Sequence, residues 1–501
     1  MKYILRLSIS AVMLILASCT PSQNSIPTPI PGRRTFASTA ILLPATDTPR
    51  PTSLSSTTPL PLSANGPWGV VMNRDNGMWV FNADGNGIRQ LVRENIGSDS
   101  AVDISPSGGK LAYLADTNPD NPNQEEISLR LLSLPDGTVQ TISDVMPPLA
   151  SMVIPTPGSS DGRPTPDLGY AQGQMYSAVG SMDWSPDGQR LAFVSGHDGL
   201  FANVYVYDLS SGKITRMTDR PHYDYGVKWS PTGEYLYFSE AENFGGGGIS
   251  GGSAWVMRSD LPESAPFWGI PASNTTPAFG LINWTSPSSL LLQSYDQPCG
   301  INQLSNVDVV TGTTQTLWQA AAWGDCIEHI MRDPINGNML LNQLYLNEPL
   351  TNTHIALLAA NGVKLKDVNA ADLRTYLVQG SYPDDLNLVG SASSVSAALP
   401  GTVIPIQSPD GNLWAWLPWP TWPLAQGAGL WVGKAGQPPT QVTTATVESF
   451  SWSPDGKTMF FYASNNMYIA HWPELKPEIF DAKLLSPRWG PYTLHVNWVT
   501  H

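Results

Sequence analysis

The sequence predicts an all-β protein, a β-propeller of four-stranded antiparallel blades. Three observations predict it. A Trp-Ser-Pro-Asp-Gly unit recurs along the chain, as in FSWSPDGKTMFFYAS at 450–464. Most of its copies lie about 45 residues apart. Between copies the apolar runs are short, carry aromatic and β-branched residues, and are separated by turn residues, as strands are.

The unit itself is a tight turn. Pro454 fixes its φ at the second turn position, Asp455 tolerates the third, and Gly456 supplies a positive φ at the exit. The flanking runs FSW and TMFFYA then pair as a hairpin. Near-identical hairpins read MDWSPDGQRLAFVSG (182–196) and VKWSPTGEYLYFSEA (227–241). Degraded ones are VDISPSGGKLAYLAD (102–116), with Ile104 in the Trp position, and IQSPDGNLWAWLP (406–418), with Gln407 there. Weaker still are INWTSPSSLLLQS (282–294) and IMRDPINGNMLLNQ (330–343).

The spacing sets the architecture. Trp184 to Trp229 is 45 residues, Trp229 to Trp284 is 55, Trp284 to Ile330 is 46, Gln407 to Trp452 is 45 and Trp452 to Trp498 is 46. Ile104 to Trp184 and Ile330 to Gln407 are longer, at 80 and 77, which implies insertions. A period of about 40–50 residues with four strands each belongs to propeller blades, which bury their faces only by stacking on one another.

One repeat shows the plan. Strand A ends at Trp184, RLAFVS is strand B, NVYVYDL strand C, and KITRMT after the SSG turn strand D. The strands from residue 68 (WGVVMN, MWVFNA, IRQLV) lack an A strand, and the last strand, around Trp498, lacks a partner. Each completes the other, so eight blades closed by the C-terminal strand are expected, with seven if the weak sixth repeat is not a blade.

Trp-Ser-Pro-Asp-Gly-x-x-[Leu/Ile]-Ala-Phe followed by a Tyr-x-Tyr-Asp strand resembles the WD-repeat-like propeller repeats of TolB and its relatives, over most of residues 68–499. The resemblance implies the fold. It does not imply an activity, because function resides in sites grafted on folds.

The N-terminus has a basic region (Lys2, Arg6) and an apolar stretch at 7–17, too short to span a membrane. Leu16-Ala17-Ser18-Cys19 resembles a bacterial lipobox, which implies a signal peptide at 1–18, cleavage before Cys19 and lipidation of its thiol. Acyl chains would then hold the protein on a membrane in the extracytoplasmic cell envelope. Residues 19–64 follow as a tether, with nine Pro and sixteen Ser/Thr in 20–64. The propeller is expected over 65–501.

Signal and tether hold five Lys/Arg and one Asp, so the rest carries 21 basic and 40 acidic residues, net −19. Such a surface repels nucleic acid and names no partner. Beyond Cys19 only Cys299 and Cys326 remain; in an oxidising compartment an even pair reads as a disulfide. Both fall at the same end of adjacent blades.

That end is where function is expected. The A–B and C–D turns (SPDG, SSG, SPTG, VTG) are tight. The long segments 144–179, 240–252, 369–400 and 417–429 all fall in B–C and D–A connections, at the opposite, "top" end. Insertions confined to one face usually mark a binding face. Its candidate residues are Trp419 and Trp422, each beside Pro, and His222, Tyr223 and Tyr225, expected in another top loop. Packing of these rings against the core is the competing role.

The catalytic-looking motifs are weak. Gly248-Ile-Ser250-Gly-Gly252 fits a nucleophile elbow but sits in a glycine run with no helix to follow. Asp308-Val-Val-Thr311-Gly312 matches Asp208-Leu-Ser-Ser211-Gly212 and reads as a hairpin turn. The seven histidines show no metal-ligand spacing, and NPDNPNQEE (118–126) lacks an ordered calcium-ligand pattern. No carboxylate pair stands out. Peptidases that join such a propeller to an α/β-hydrolase need a further domain, for which the chain leaves no room. The expectation is therefore a monomeric, non-catalytic, membrane-tethered module without cofactor or metal. It would bind a protein or peptide through its top face, with glycan binding or processing as the alternative.

Overall fold

The recurring turn owes its shape to one serine and one aspartate. In the third repeat Ser185 Oγ donates to Asp187 Oδ1 (2.5 Å) and accepts from the Arg190 N–H (2.9 Å), while the Gln189 N–H donates to Asp187 Oδ1 (3.0 Å). These bonds satisfy polar groups that the tight turn takes out of the strand ladder. Gly188 exits at φ +67°, where an L side chain is strained. The same set recurs at Ser408/Asp410/Leu413 and Ser453/Asp455/Thr458. A serine followed two residues later by aspartate and then glycine thus encodes these three hairpins, and Ser107 and Thr232 stand in the aspartate position of two others.

The computed structural model describes most of residues 62–499. The main stretches outside it are 1–61, 95–101, 119–125, 147–167, 271–277, 346–353, 369–405, 418–428 and 481–495. The described residues form antiparallel four-stranded sheets, with one α-helix, and the fold is that of a β-propeller. In the third repeat the strands are Met182–Trp184, Arg190–Ser195, Asn203–Asp208 and Ile214–Arg216, in that spatial order, as the sequence reading placed them.

Five further sheets have four strands each: those starting at Val102, Tyr223, Ile406 and Val447, and one built from Trp68–Asn73, Gly77–Asn82, Arg89–Val92 and Val496–Val499. In the last, Trp68 pairs with Val499 and Val71 with Val496. Among the described residues, eight of the remaining strands are two four-strand meanders, from Ala278 and from Cys326, joined by the single pair Ile301–Ile327, and the other two form the hairpin Asn243–Gly245/Gly248–Ser250.

The apolar core lies between sheets. Trp184, Phe193, Tyr205, Trp229, Leu236 and Met257, from two successive repeats, share one buried cluster. Aromatic and β-branched residues alternate along the inner strands because both faces of a blade meet a neighbour.

Two segments differ from expectation. Segment 144–179, expected as a long top-face connection, contains the helix Leu168–Ala178. Its buried Ala171, Met175 and Ala178 recur at helical spacing on one face. Tyr223 and Tyr225 were placed in a loop but belong to the strand Tyr223–Trp229, paired with Ala241 and Ser239. The strand starts earlier than the Trp motif implies, because alternation in Tyr-Asp-Tyr continues the ladder to Tyr223, two residues after Pro221.

Candidate functional site

The top end of the third and fourth repeats is the best-defined candidate. Its roof is built from two insertions. The hairpin Asn243–Gly245/Gly248–Ser250 meets the helix Leu168–Ala178 through Gln174, whose Nε2 donates to the Phe244 carbonyl (2.7 Å) while its Oε1 accepts from the Phe244 N–H. A side-chain amide here completes the backbone bonds of another element. Phe244 then stacks edge-on against Tyr225 (5.4 Å between centroids) and tilts against Tyr223, which packs on Phe201. Tyr223 is buried, so its ring is core, and Tyr225 and His222 are half-buried.

Beneath the tyrosines lies a carboxylate pair that sequence reading missed. Asp224 and Glu240 face each other across the strand pair and are 0% and 5% exposed. The Thr218 hydroxyl donates to Asp224 Oδ2, while Asp224 Oδ1 finds no hydrogen-bond partner among the described residues. Arg220 ion-pairs with Glu240 (2.8 Å) and lies 4.2 Å above the Trp255 ring. Burial first, with Glu240 adding to it, pushes the Asp224 carboxyl up to about 8. Burial also raises Glu240, against the pull of Arg220. An aspartate inside an aromatic strand, Tyr-Asp-Tyr, was the only signal available.

A second cluster lies at the same end, between the second and third repeats. Ser143 Oγ is 3.5 Å from His197 Nδ1, and His197 Nε2 is 3.6 Å from Asp198 Oδ1. Asp198 Oδ2 also accepts from the Tyr205 hydroxyl (2.9 Å). Ser143 is 8% exposed and His197 about half exposed. The Ser143 hydroxyl itself donates to the Asp144 carbonyl (3.1 Å), so it would have to turn toward the imidazole before serine, imidazole and carboxylate could act in series to move a proton off a nucleophile.

Other candidates resolve differently. Ser250 lies in the hairpin strand Gly248–Ser250, with no helix after it, as the elbow requires. Thr311 N–H donates to Asp308 Oδ1 and Ser211 N–H to Asp208 Oδ1, both at 2.8 Å, so both are hairpin turns. Cys326 is buried and disulfide-bonded. Cys299 opens the neighbouring strand, but its side chain lies outside the described residues, as do Cys19, Trp419 and Trp422. Among the described residues no three His, Cys, Asp or Glu side chains gather as metal ligands, and no helix is long and apolar enough to cross a membrane.

No family model matches the chain. A 56-residue stretch is 44% identical to the uncharacterized peptidase YuxL of Bacillus subtilis, covering 11% of this chain and 8% of that one. Another, of 79 residues, is 29% identical to a Sulfurisphaera tokodaii protein named as a Tricorn-like protease C-terminal subunit, covering 16% and 9%. Among solved structures, TolB from Acinetobacter baumannii aligns over 60% of this chain and 62% of its own, at 14% identity and a TM-score of 0.32. The chain spans less than a tenth of the length of these two curated relatives. The expectation that the protein is no enzyme is overturned here. Two of its sequence matches run to proteins named as a peptidase and a protease, and Ser143, at the end of one sheet, meets His197 and Asp198 of the turn that follows the strand Arg190–Ser195 in the next.

Proposed function

We propose that this is an envelope-tethered propeller of eight blades whose top face binds polypeptide. The observation that carries the reading is the roof of the third and fourth repeats, where two insertions are fixed to one another by Gln174 and Phe244 over an aromatic shelf. A fixed roof of this kind pre-pays the ordering of loops that binding otherwise demands. The peptidase names of the matched proteins favour polypeptide over glycan. Tethering through Cys19 and eight-blade closure through the pairing of Trp68 with Val499 belong to the same proposal. Peptide and glycan arrays probed with residues 20–501 are the test. Retention of peptides, lost when 243–250 is replaced by a short Gly-Ser turn, is expected. Retention of glycans alone would overturn the reading.

Ser143, His197 and Asp198 favour a second reading, hydrolysis of the bound peptide. Ser143 Oγ would attack the scissile carbonyl, its proton passing to His197 Nδ1 with Asp198 stabilising the imidazolium; the C–N bond would then break as the amine leaves with that proton, and water, deprotonated by the same imidazole, would release the acyl group from Ser143. A fluorophosphonate probe should label the protein and fail to label Ser143→Ala. Absence of labelling, together with absence of peptide cleavage, would remove this reading and leave the first intact.

A further inference from the structure

We propose that Asp224 and Glu240 form a proton-operated clasp that holds the 218–224 connection and the overlying roof closed, and that loss of the proton releases it. The geometry requires this. Two carboxylates sit in register on adjacent strands, both almost wholly buried, with one cation between them. Arg220 neutralises Glu240, and Asp224 is left with a hydroxyl on one oxygen and no partner on the other. A second buried negative charge there has only a share of the Arg220 guanidinium that already pairs with Glu240, and desolvation of a carboxylate without a cation of its own is among the costliest events in a protein interior.

The groups that face the pair are few. From the connection come Thr218, Arg220 and His222, and from the strand Tyr235–Ala241 and its exit come Glu240 and Glu242. The strand Asn203–Asp208 offers Asn203, whose Oδ1 accepts from the Arg220 N–H (3.3 Å), and the Val204 N–H donates to the Thr218 hydroxyl (2.9 Å). The helix Leu168–Ala178 and the hairpin 243–250 carry no Asp, Glu, Lys, Arg or His at all. Neither can supply a counter-charge when the proton leaves. The 218–224 connection is held by the same atoms that would feel the charge: Thr218 on Asp224, and Arg220 on Glu240. Tyr223 and Tyr225 flank Asp224 and touch Phe244, so a movement of this connection reaches the roof directly.

The sign follows from the direction of the shift. From the ordinary value, 3.8, up to about 8, the folded chain keeps a proton on Asp224 that the unfolded chain has released. The clasp therefore weakens as pH rises through that window and is fully open only above it.

Hydrogen exchange of residues 20–501 between pH 6 and 9, corrected for intrinsic base catalysis, reads the clasp. Peptides covering 217–226 and 240–245 should gain at least tenfold in exchange rate in the wild type, whereas in Asp224→Asn they should stay flat. An equal rise in both proteins, or none in the wild type, would overturn the clasp. Should Asp224→Asn not fold, infrared spectra of the wild type decide: a buried protonated carboxyl band persisting at pH 7 and vanishing by pH 9 supports the proposal, and its absence at pH 7 ends it.

Discussion

Trp184 is held by Asp103 of the preceding repeat at both ends of the residue. The Trp184 backbone N–H donates to Asp103 Oδ2 (2.7 Å), and its indole Nε1–H donates to the Asp103 carbonyl (3.1 Å). Trp229 repeats the arrangement on Asp183, at 2.6 and 2.9 Å. In these two cases the residue before the Trp position, Asp103 before Ile104 and Asp183 before Trp184, staples its sheet to the Trp of the next, whereas the Trp284 indole has no hydrogen-bond partner among the described residues. This is why Trp recurs at one place: it packs between sheets and carries a donor that reaches across.

Replacing Asp103 by Ala should therefore loosen the second and third repeats together. It strands a buried backbone N–H, at a cost of about 2 kcal/mol. Thermal melting should show a lower midpoint for Asp103→Ala than for Asp136→Ala, whose carboxylate serves an exposed turn. Equal midpoints would show that the staple contributes nothing.

The same staple is pH-dependent. Burial first, then the nearby Asp183 carboxylate, pushes Asp103 up to about 6 from 3.8. In that window the folded chain holds a proton that the unfolded chain has lost, so this group's contribution to stability falls as pH rises from about 4 to 6 and is level above. Asp103→Asn should remove that slope while keeping an acceptor for Trp184. Asp183, also raised by burial, leaves a slope of the same sign. Melting curves from pH 4 to 7 on both proteins check it.

Hairpins and their order were legible in the sequence because Ser185, Asp187 and Gly188 act on their immediate neighbours. The site was not legible, because its partners meet across repeats. Asp224 and Glu240 are 16 residues apart and become opposites only through strand register. Ser143 belongs to one sheet and His197 to the turn after a strand of the next. The helix 168–178 was hidden by its glycines and by an apolar face only three residues wide. Tyr223 was misplaced because the strand continues past the motif that announced it.

Cys326 should pair with Cys299. Their strands are joined at Ile301–Ile327, which brings the two cysteines to one end of neighbouring repeats. Closing a loop of this length contributes on the order of 3–4 kcal/mol. Mass mapping of the unreduced protein should recover a peptide linking 299 to 326. Two free thiols would exclude the bond.

Cys19 should anchor the chain. Cys19→Ser should leave the protein either soluble outside the membrane or with its signal uncleaved, in fractionated cells expressing the full sequence. Normal processing with undiminished membrane retention would rule out lipidation.

On the eight-blade proposal, closure of the ring would rest on four residues, Val496–Val499. Val499 is buried beside Trp68, Val70 and Met78 in the first sheet's cluster. Trp498 reaches the other way: its indole donates to Ser451 Oγ (2.8 Å) and its ring lies against Phe460 and Phe81 (5.4 and 6.0 Å). One short strand thus completes the sheet that starts at Trp68 and touches the sheet that starts at Val447. Removing residues 492–501 should leave the edge of Trp68–Asn73 unpaired and the Phe81–Phe460 contact open to water. An exposed, apolar edge strand recruits other chains. The truncated protein should therefore aggregate or be cut within 62–92 at protease levels that spare the full chain, with a melting midpoint lower by several degrees. Point substitution separates closure from simple loss of mass: Trp498→Ala keeps the ladder but loses the indole bond and ring contacts, and should fall between the two. A truncated chain with unchanged midpoint and solubility would show that Trp68–Asn73 needs no partner, and the count of eight blades would fail with it.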